Sequence, residues 1–303
     1  MILENIELGT IIEGKWLKHQ YKLLKLLGKG GIGRVYMAID LGTQDIYAIK
    51  LANDIQSITK ESEVLKRFQG IELFPRFREV DDCIIELKKY FFIVMEYIQG
   101  ESLNETFAVR GLSHKEILGM GLIIGKTFRV LHRKDLVFGD LKLENLMIDK
   151  KNRILRIIDF GGVTPMGSSV KEYTQIYDRA SWDAGIRRAD QQYDLFSLNM
   201  LIVNMLLQNT VQLMDYDLEK LIKKLSEKKI PMKLEVVIAC GFKQLMSFEN
   251  YLYQLEDIYS KYEYSGESYA KTKFNTVLNC ILAGSLLAFV GLLAACGEKV
   301  FNF

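Results

Sequence analysis

Asp140, Lys142, Asn145 and Asp159 stand in the order acid, cation, amide, acid, and the second acid lies fourteen residues past the amide. Moving a phosphoryl group from Mg-ATP to a hydroxyl needs residues of these types. One carboxylate must face the attacking hydroxyl, hard oxygen ligands must hold the metal, and a cation must offset charge building on the transferred group. Asp140 is therefore expected to face the hydroxyl, Lys142 to reach the moving phosphoryl, and Asn145 and Asp159 to hold Mg²⁺.

Upstream, Gly28-Lys-Gly30-Gly-Ile-Gly33-Arg-Val35 is a run of glycines whose backbone could approach phosphate oxygens and present amides to them. Read alone it is equally a hairpin turn. It sits between two strand-like runs rather than before a helix, which disfavours a dinucleotide-binding fold. Lys50 follows Gly33 by seventeen residues at the end of Tyr47-Ala48-Ile-Lys50. It is read as the ligand of the α- and β-phosphates, held by a carboxylate from the next helix, with Val35 and Ala48 beside the nucleotide. Glu61 and Glu63 are the two candidates for that carboxylate. Val64 and Leu65 follow Glu61 at helical spacing, so Glu61 shares their inward face and is preferred.

The elements that must place these residues can be read from patterning. Residues 21–50 alternate apolar and polar positions with glycine punctuation, predicting antiparallel strands over 21–27, 34–40 and 47–50. Residues 58–68 read as a helix from their Glu, Lys and Leu content. Phe91 to Tyr97 is a nearly unbroken apolar run, predicting a buried strand. The backbone of Glu96, Tyr97 and Ile98 is expected to meet the adenine edge, with Met95 either core or pocket. Ser113-x-x-Glu116 predicts a capped helix running to Leu131. His132-Arg-Lys-Asp135 imitates a catalytic triplet, but Asp140 lies five residues past Asp135, where an amide ligand would be required. The register therefore starts at Asp140, and His132 is a helix-end residue. Residues 154–158 read as a strand delivering Asp159. Thr164, Ser168, Ser169 and Thr174 fall in a glycine-containing loop. A helix opening at Tyr193-Asp194 follows, with Asp194 readable as an N-terminal charge favoured by the helix dipole.

Composition narrows the class. The chain has 303 residues, 49% hydrophobic and 26% charged, with net charge +2, as expected of a folded protein with two core-bearing lobes. No basic run supports nucleic-acid binding. Cys83, Cys240, Cys280 and Cys296 are scattered, without zinc or disulfide spacing. The first residues lack the basic-then-apolar order of a secretory signal. Phe274 to Gly297 contains no charged residue. That is about 24 residues, or roughly 36 Å of helix, enough to cross a ~30 Å hydrocarbon core. A single-pass cell-membrane protein is expected, with residues 1–273 cytoplasmic because Lys271 and Lys273 precede the span. Gly284, Ala288, Gly291 and Ala295 form a small-residue stripe that could pack a second copy as a homodimer.

Together the glycine loop, Lys50, Glu61, Asp140/Lys142/Asn145 and Asp159-Phe-Gly161 resemble the eukaryotic-type (Hanks-type) serine/threonine protein kinases. Lysine at the second position after the catalytic Asp is the serine/threonine pattern. Gly14-Lys-Trp16, Lys171-Glu-Tyr-Thr174, Tyr177-Asp-Arg179 and the C-terminal span are further similar to the membrane-bound sporulation kinases of spore-forming bacilli. The resemblance implies an α+β, bilobal kinase fold, with a β-rich lobe over residues 1–97 and a helical lobe over 98–262. A juxtamembrane linker (263–273), a transmembrane helix (274–297) and a short tail (298–303) complete the expected organisation. It also implies ATP and Mg²⁺, and Ser/Thr protein substrates, possible sporulation or DNA-related regulation among them. Thr174 would contact Asp140 and Lys142.

Three departures from the family follow. Phe138-Gly139 replaces its His-Arg, so no arginine beside Asp140 can receive a loop phosphate, and loop phosphorylation is not expected to be the on-switch. Ala180-Ser181 stands where its Pro-Glu belongs, removing an expected ion pair. The sporulation group carries a basic linker associated with DNA, whereas residues 211–273 are charge-balanced, so DNA binding is not expected. Two rival readings remain: a small-molecule phosphotransferase of the aminoglycoside-kinase-like type, and a membrane-tethered pseudokinase scaffold.

Overall fold

The computed structural model describes residues 6–31, 33–207, 213–228 and 230–262. The expected linker, span, small-residue stripe and tail (263–303) lie outside them. Among the described residues no helix is long and apolar enough to cross a membrane. The first of two compact units ends at Leu255. Of the second, residues 256–262 are described, and they are helical.

The alternating run near the N-terminus builds a six-stranded antiparallel sheet in the order β1-β2-β3-β4-β6-β5. Its strands are β1 (Ile11–Glu13), β2 (Gln20–Lys29), β3 (Gly33–Asp40), β4 (Ile46–Ala52), β5 (Phe77–Ile85) and β6 (Lys88–Glu96). Tyr21, Leu23, Tyr36, Ile49, Phe92 and Val94 meet in its core, one side chain from every second position, as the strand period demands. Register places Val35 opposite Lys50 and Met37 opposite Ala48. Val35, Ala48 and Lys50 therefore share one face.

Between β4 and β5 in the chain runs helix α1 (Ile55–Arg67), whose N-cap Asp54 accepts from the amides of Gln56 and Ser57. Strand β5 had no sequence signal because Asp81 and Asp82 interrupt its apolar pattern, yet both are buried. The Asp81 carboxylate accepts the amide of Leu17 at 2.8 Å and that of Trp16 at 3.1 Å. Asp82 pairs with Lys89 at 2.6 Å. Fixed in this way, the loop before β2 holds Trp16 in solvent, 73% exposed. The chain's other tryptophan, Trp182, is buried and its Nε1 donates to the Ile176 carbonyl at 2.8 Å.

After Glu96 the chain leaves this sheet. Beyond it β7 (Gly100–Ser102) pairs with β9 (Leu146–Asp149), itself paired with β10 (Ile154–Ile157). Ser102 and Glu105 close a capping box on α2 (Leu103–Arg110). The expected box of Ser113 and Glu116 opens α3 (His114–His132). Short β8 (Leu136–Val137) pairs with β11 (Thr164–Pro165), which makes a strand pair of part of the expected loop and buries Thr164. Helix α4 (Gln191–Leu206) begins two residues before the expected start, capped by Asp190, and is buried from Tyr193 onward. It packs on α3 and on α6 (Met232–Phe242), and α6 also packs on α5 (Leu218–Ser226). This strand-rich half followed by a helical half is the expected α+β, bilobal arrangement.

Candidate active site

Strand β4 and helix α1 bring the first three charges together. Glu61 is 1% exposed beside buried Val64 and Leu65, whereas Glu63 faces solvent. Lys50 Nζ lies 2.6 Å from Glu61 Oε2 and 3.0 Å from Asp159 Oδ1. Burial works against the Lys50 ammonium, but the two carboxylates outweigh it and raise the lysine pKa, so the ammonium is charged. Burial likewise works against ionised Asp159, and Lys50 together with the Gly161 amide keeps its pKa below the ordinary value. Removing one partner from a buried pair of this kind costs about 3–5 kcal/mol, because the other charge is left uncompensated.

The segment carrying Asp140 is set by a carboxylate whose role the sequence concealed. Asp194 is fully buried, not a surface charge at a helix end. Its oxygens accept the amides of Phe138 at 2.9 Å and Gly139 at 3.1 Å, and His132 Nε2 at 2.8 Å. His132 does end its helix, as expected, and Asp135 is exposed and takes no part. Gly139 has φ +82°, and a Cβ there would lie 2.6 Å from the Gly162 carbonyl oxygen. A glycine is thus required where the family has arginine. Phe138 fills the position of the family histidine, stacking on Phe128 at 5.0 Å and meeting Phe160 edge-on at 6.4 Å.

From this turn Asp140 reaches two partners. Lys142 Nζ lies 2.5 Å from its Oδ2, and Thr174 Oγ1 donates to its Oδ1 at 2.8 Å. Asn145 Nδ2 donates to the Asp140 carbonyl at 3.1 Å, which leaves the amide oxygen as the remaining donor atom. The Ile158 amide donates to the Asn145 carbonyl at 2.9 Å, and so ties the residue before Asp159 to the loop holding Asn145. All four residues of the expected catalytic set are therefore gathered in one place.

Beside them opens a cavity of about 440 Å³ whose lining includes Gly28, Val35, Ala48, Met95, Glu96 and Tyr97. Met95 is both core and pocket: it is 3% exposed and lines the cavity. Ile98 lines it too, and so do Leu27, Met147 and Ile158, three residues that sequence spacing had no means of selecting. Gly30 and Gly33 are not among the described lining. Gly30 donates to the Gly33 carbonyl at 2.9 Å and closes the hairpin. Gly33 lets β3 approach β4, since a Cβ there would lie 2.6 Å from the Leu51 oxygen. The Glu96 side chain is held by Arg156 Nη2 at 2.5 Å and by the Arg76 amide at 3.0 Å. At Ala180-Ser181 the missing glutamate is replaced by other pairs. Arg179 binds Asp190 through both terminal nitrogens at 2.8 and 2.7 Å, and Arg187 meets buried Asp178 at 2.8 Å.

The strand-rich half with its Lys50–Glu61 pair and the helical half carrying Asp140 and Asp159 are the two parts of a protein kinase domain. The chain belongs to the protein kinase domain family, which matches residues 21–263. It is 40% identical over 202 residues to the serine/threonine-protein kinase YabT of Bacillus subtilis, covering 65% of this chain and 58% of YabT. It is 26% identical over 204 residues to the serine/threonine-protein kinase PrkC of the same organism, covering 64% of this chain and 31% of PrkC. To calcium-dependent protein kinase 4 of Plasmodium berghei it is 30% identical over 154 residues, covering 47% of this chain and 28% of that protein. The chain thus spans less than two thirds of each of these relatives.

Proposed function

We infer that this protein is a membrane-tethered kinase that transfers the γ-phosphoryl group of ATP to serine or threonine hydroxyls of cytoplasmic proteins. The observation that carries the catalytic part is the Lys50 ammonium held between Glu61 at 2.6 Å and Asp159 at 3.0 Å, at the edge of the helical half that carries Asp140. In this reading Lys50 binds the α- and β-phosphates, and the backbone of Glu96 to Ile98 receives the adenine edge. Gly28, Gly30 and Gly33 shape the hairpin over the phosphates. Asp140 accepts the proton of the attacking hydroxyl, and Lys142 offsets charge on the group in transfer.

The residues fit Mg²⁺. Asn145 and Asp159 offer two hard oxygen donors, one of them charged, and this ion favours one or two protein donors supplemented by phosphate oxygens. When bound, Mg²⁺ would neutralise phosphate charge and fix the phosphates relative to Asp140. Membrane tethering rests on the uncharged stretch Phe274–Gly297, and a role in sporulation rests on the similarity to YabT. Self-association through the Gly284/Ala288/Gly291/Ala295 stripe belongs to the same reading.

Incubation with radiolabelled ATP and a generic basic protein tests the chemistry. Label should enter serine and threonine of the acceptor and vanish with Asp140→Asn. Alkaline extraction of membranes tests the tether: the full chain should stay with the lipid, and a chain ending at residue 273 should be released.

A further inference from the structure

Glu172 lies two residues before Thr174 in the segment after Asp159-Phe-Gly161, yet its carboxylate is turned into the site. A Cβ on Gly161 would lie 2.8 Å from Glu172 Oε2, so the carboxylate rests directly on the turn that carries Asp159. On the other side stands helix α1. Lys60, the residue before Glu61, sends its Nζ to the Gly161 carbonyl at 2.9 Å. Both side chains are half-buried. The charged groups that face Glu172 are Asp159, Lys60, Lys50 and Asp140, and Lys171 also bears on Lys60. Burial, Asp159 and Asp140 outweigh Lys60 and Lys50, so the Glu172 pKa stands above the ordinary carboxylate value.

Helix α1 must be held against the site for Glu61 to reach Lys50, and the catalytic loop carries Gly139 where an arginine would gather a loop phosphate. We propose that Glu172 is a positioning residue that does this work with its own carboxylate. It draws Lys60 and the Gly161 turn together, so that helix α1 keeps the Lys50–Glu61 pair formed without any phosphate on the segment. The proposal rests on the kinase reading above.

The test uses the full chain and compares Glu172→Gln, Lys60→Met and the double variant. Each single variant should lose about tenfold in kcat/KM for ATP, the size expected for one charge-assisted contact. The loss should fall chiefly on the KM for ATP, since Glu61 is what holds Lys50 in place for the phosphates. The double variant should be no worse than Lys60→Met alone, because Glu172 acts through Lys60. Losses that add in the double variant would overturn the proposal. So would a Glu172→Gln protein as active as the parent or more active, which would make the carboxylate a plug rather than a clamp. Hydrogen exchange over residues 55–67 gives a reading independent of turnover. Those amides should exchange faster in Glu172→Gln, and unchanged exchange overturns the clamp. If the parent protein transfers no label, the kinase reading fails while the exchange measurement still judges the clamp.

Discussion

Asp194 holds the Gly139 amide at 3.1 Å, so the turn that presents Asp140 hangs from the buried helix α4 rather than from its own strand. Three donors converge on one carboxylate with no exposed surface, and none of them is a lysine or arginine. Asp194→Asn keeps the shape but replaces one acceptor oxygen with a donor that faces an amide hydrogen or His132. The expected cost is about 1–3 kcal/mol in a urea melt, with protein-kinase turnover lost out of proportion to stability. Asp194→Ala should be worse on both counts.

Gly139 sits at φ +82° against the Gly162 carbonyl, which makes restoration of the family arginine costly. Gly139→Ala and Gly139→Arg should each lower the urea midpoint, by roughly 1–3 kcal/mol. Neither should create a requirement for loop phosphate. Phosphatase treatment of the parent protein should leave its turnover unchanged, and a loss on treatment would show that the segment is phosphate-driven after all.

Thr174 reaches Asp140 Oδ1 at 2.8 Å, where an attacking hydroxyl would also need to stand. Thr174→Ala should reduce kcat with a protein acceptor by about tenfold, the worth of one hydrogen bond to a charged group. The KM for ATP should barely move. Thr174→Ser keeps the hydroxyl and should keep most of the rate. Steady-state kinetics with ATP and acceptor varied in turn separate these outcomes.

Acid should loosen the protein partly through Asp149. Burial raises its pKa, but the Asn152 amide and side chain, the Lys151 amide and Arg156 pull it below the ordinary value. A carboxyl with a depressed folded-state pKa contributes stability above its unfolded value of ~3.9 and loses it as pH falls through the folded-state value. Urea midpoints from pH 7 to pH 3 should therefore fall in the acid range. Asp149→Asn should start lower at pH 7 and fall less steeply.

Much of the site was legible because it depends on local spacing. The interval from Asp140 to Asn145 excluded Asp135, and the i+3 and i+4 neighbours of Glu61 separated it from Glu63. What escaped depends on burial that only the folded chain creates. Asp194 looked like a helix-dipole charge since nothing near it in sequence reveals three distant donors. Strand β5 was hidden by Asp81 and Asp82, two acids made tolerable inside the lobe by Leu17, Trp16 and Lys89. Gly30 and Gly33 were chosen for phosphate contact; strand approach already requires Gly33, whereas Gly30 closes the hairpin through a backbone amide that other residues also have.

The two tryptophans carry an optical consequence. Trp16 stands in water on the strand lobe, and Trp182 is enclosed and bonded to the carbonyl of Ile176, two residues past Thr174. Their emission should divide into a red component from the first and a blue one from the second. A Trp16→Phe protein would then glow only from the substrate-facing segment, giving a label-free view of that segment as nucleotide and acceptor arrive.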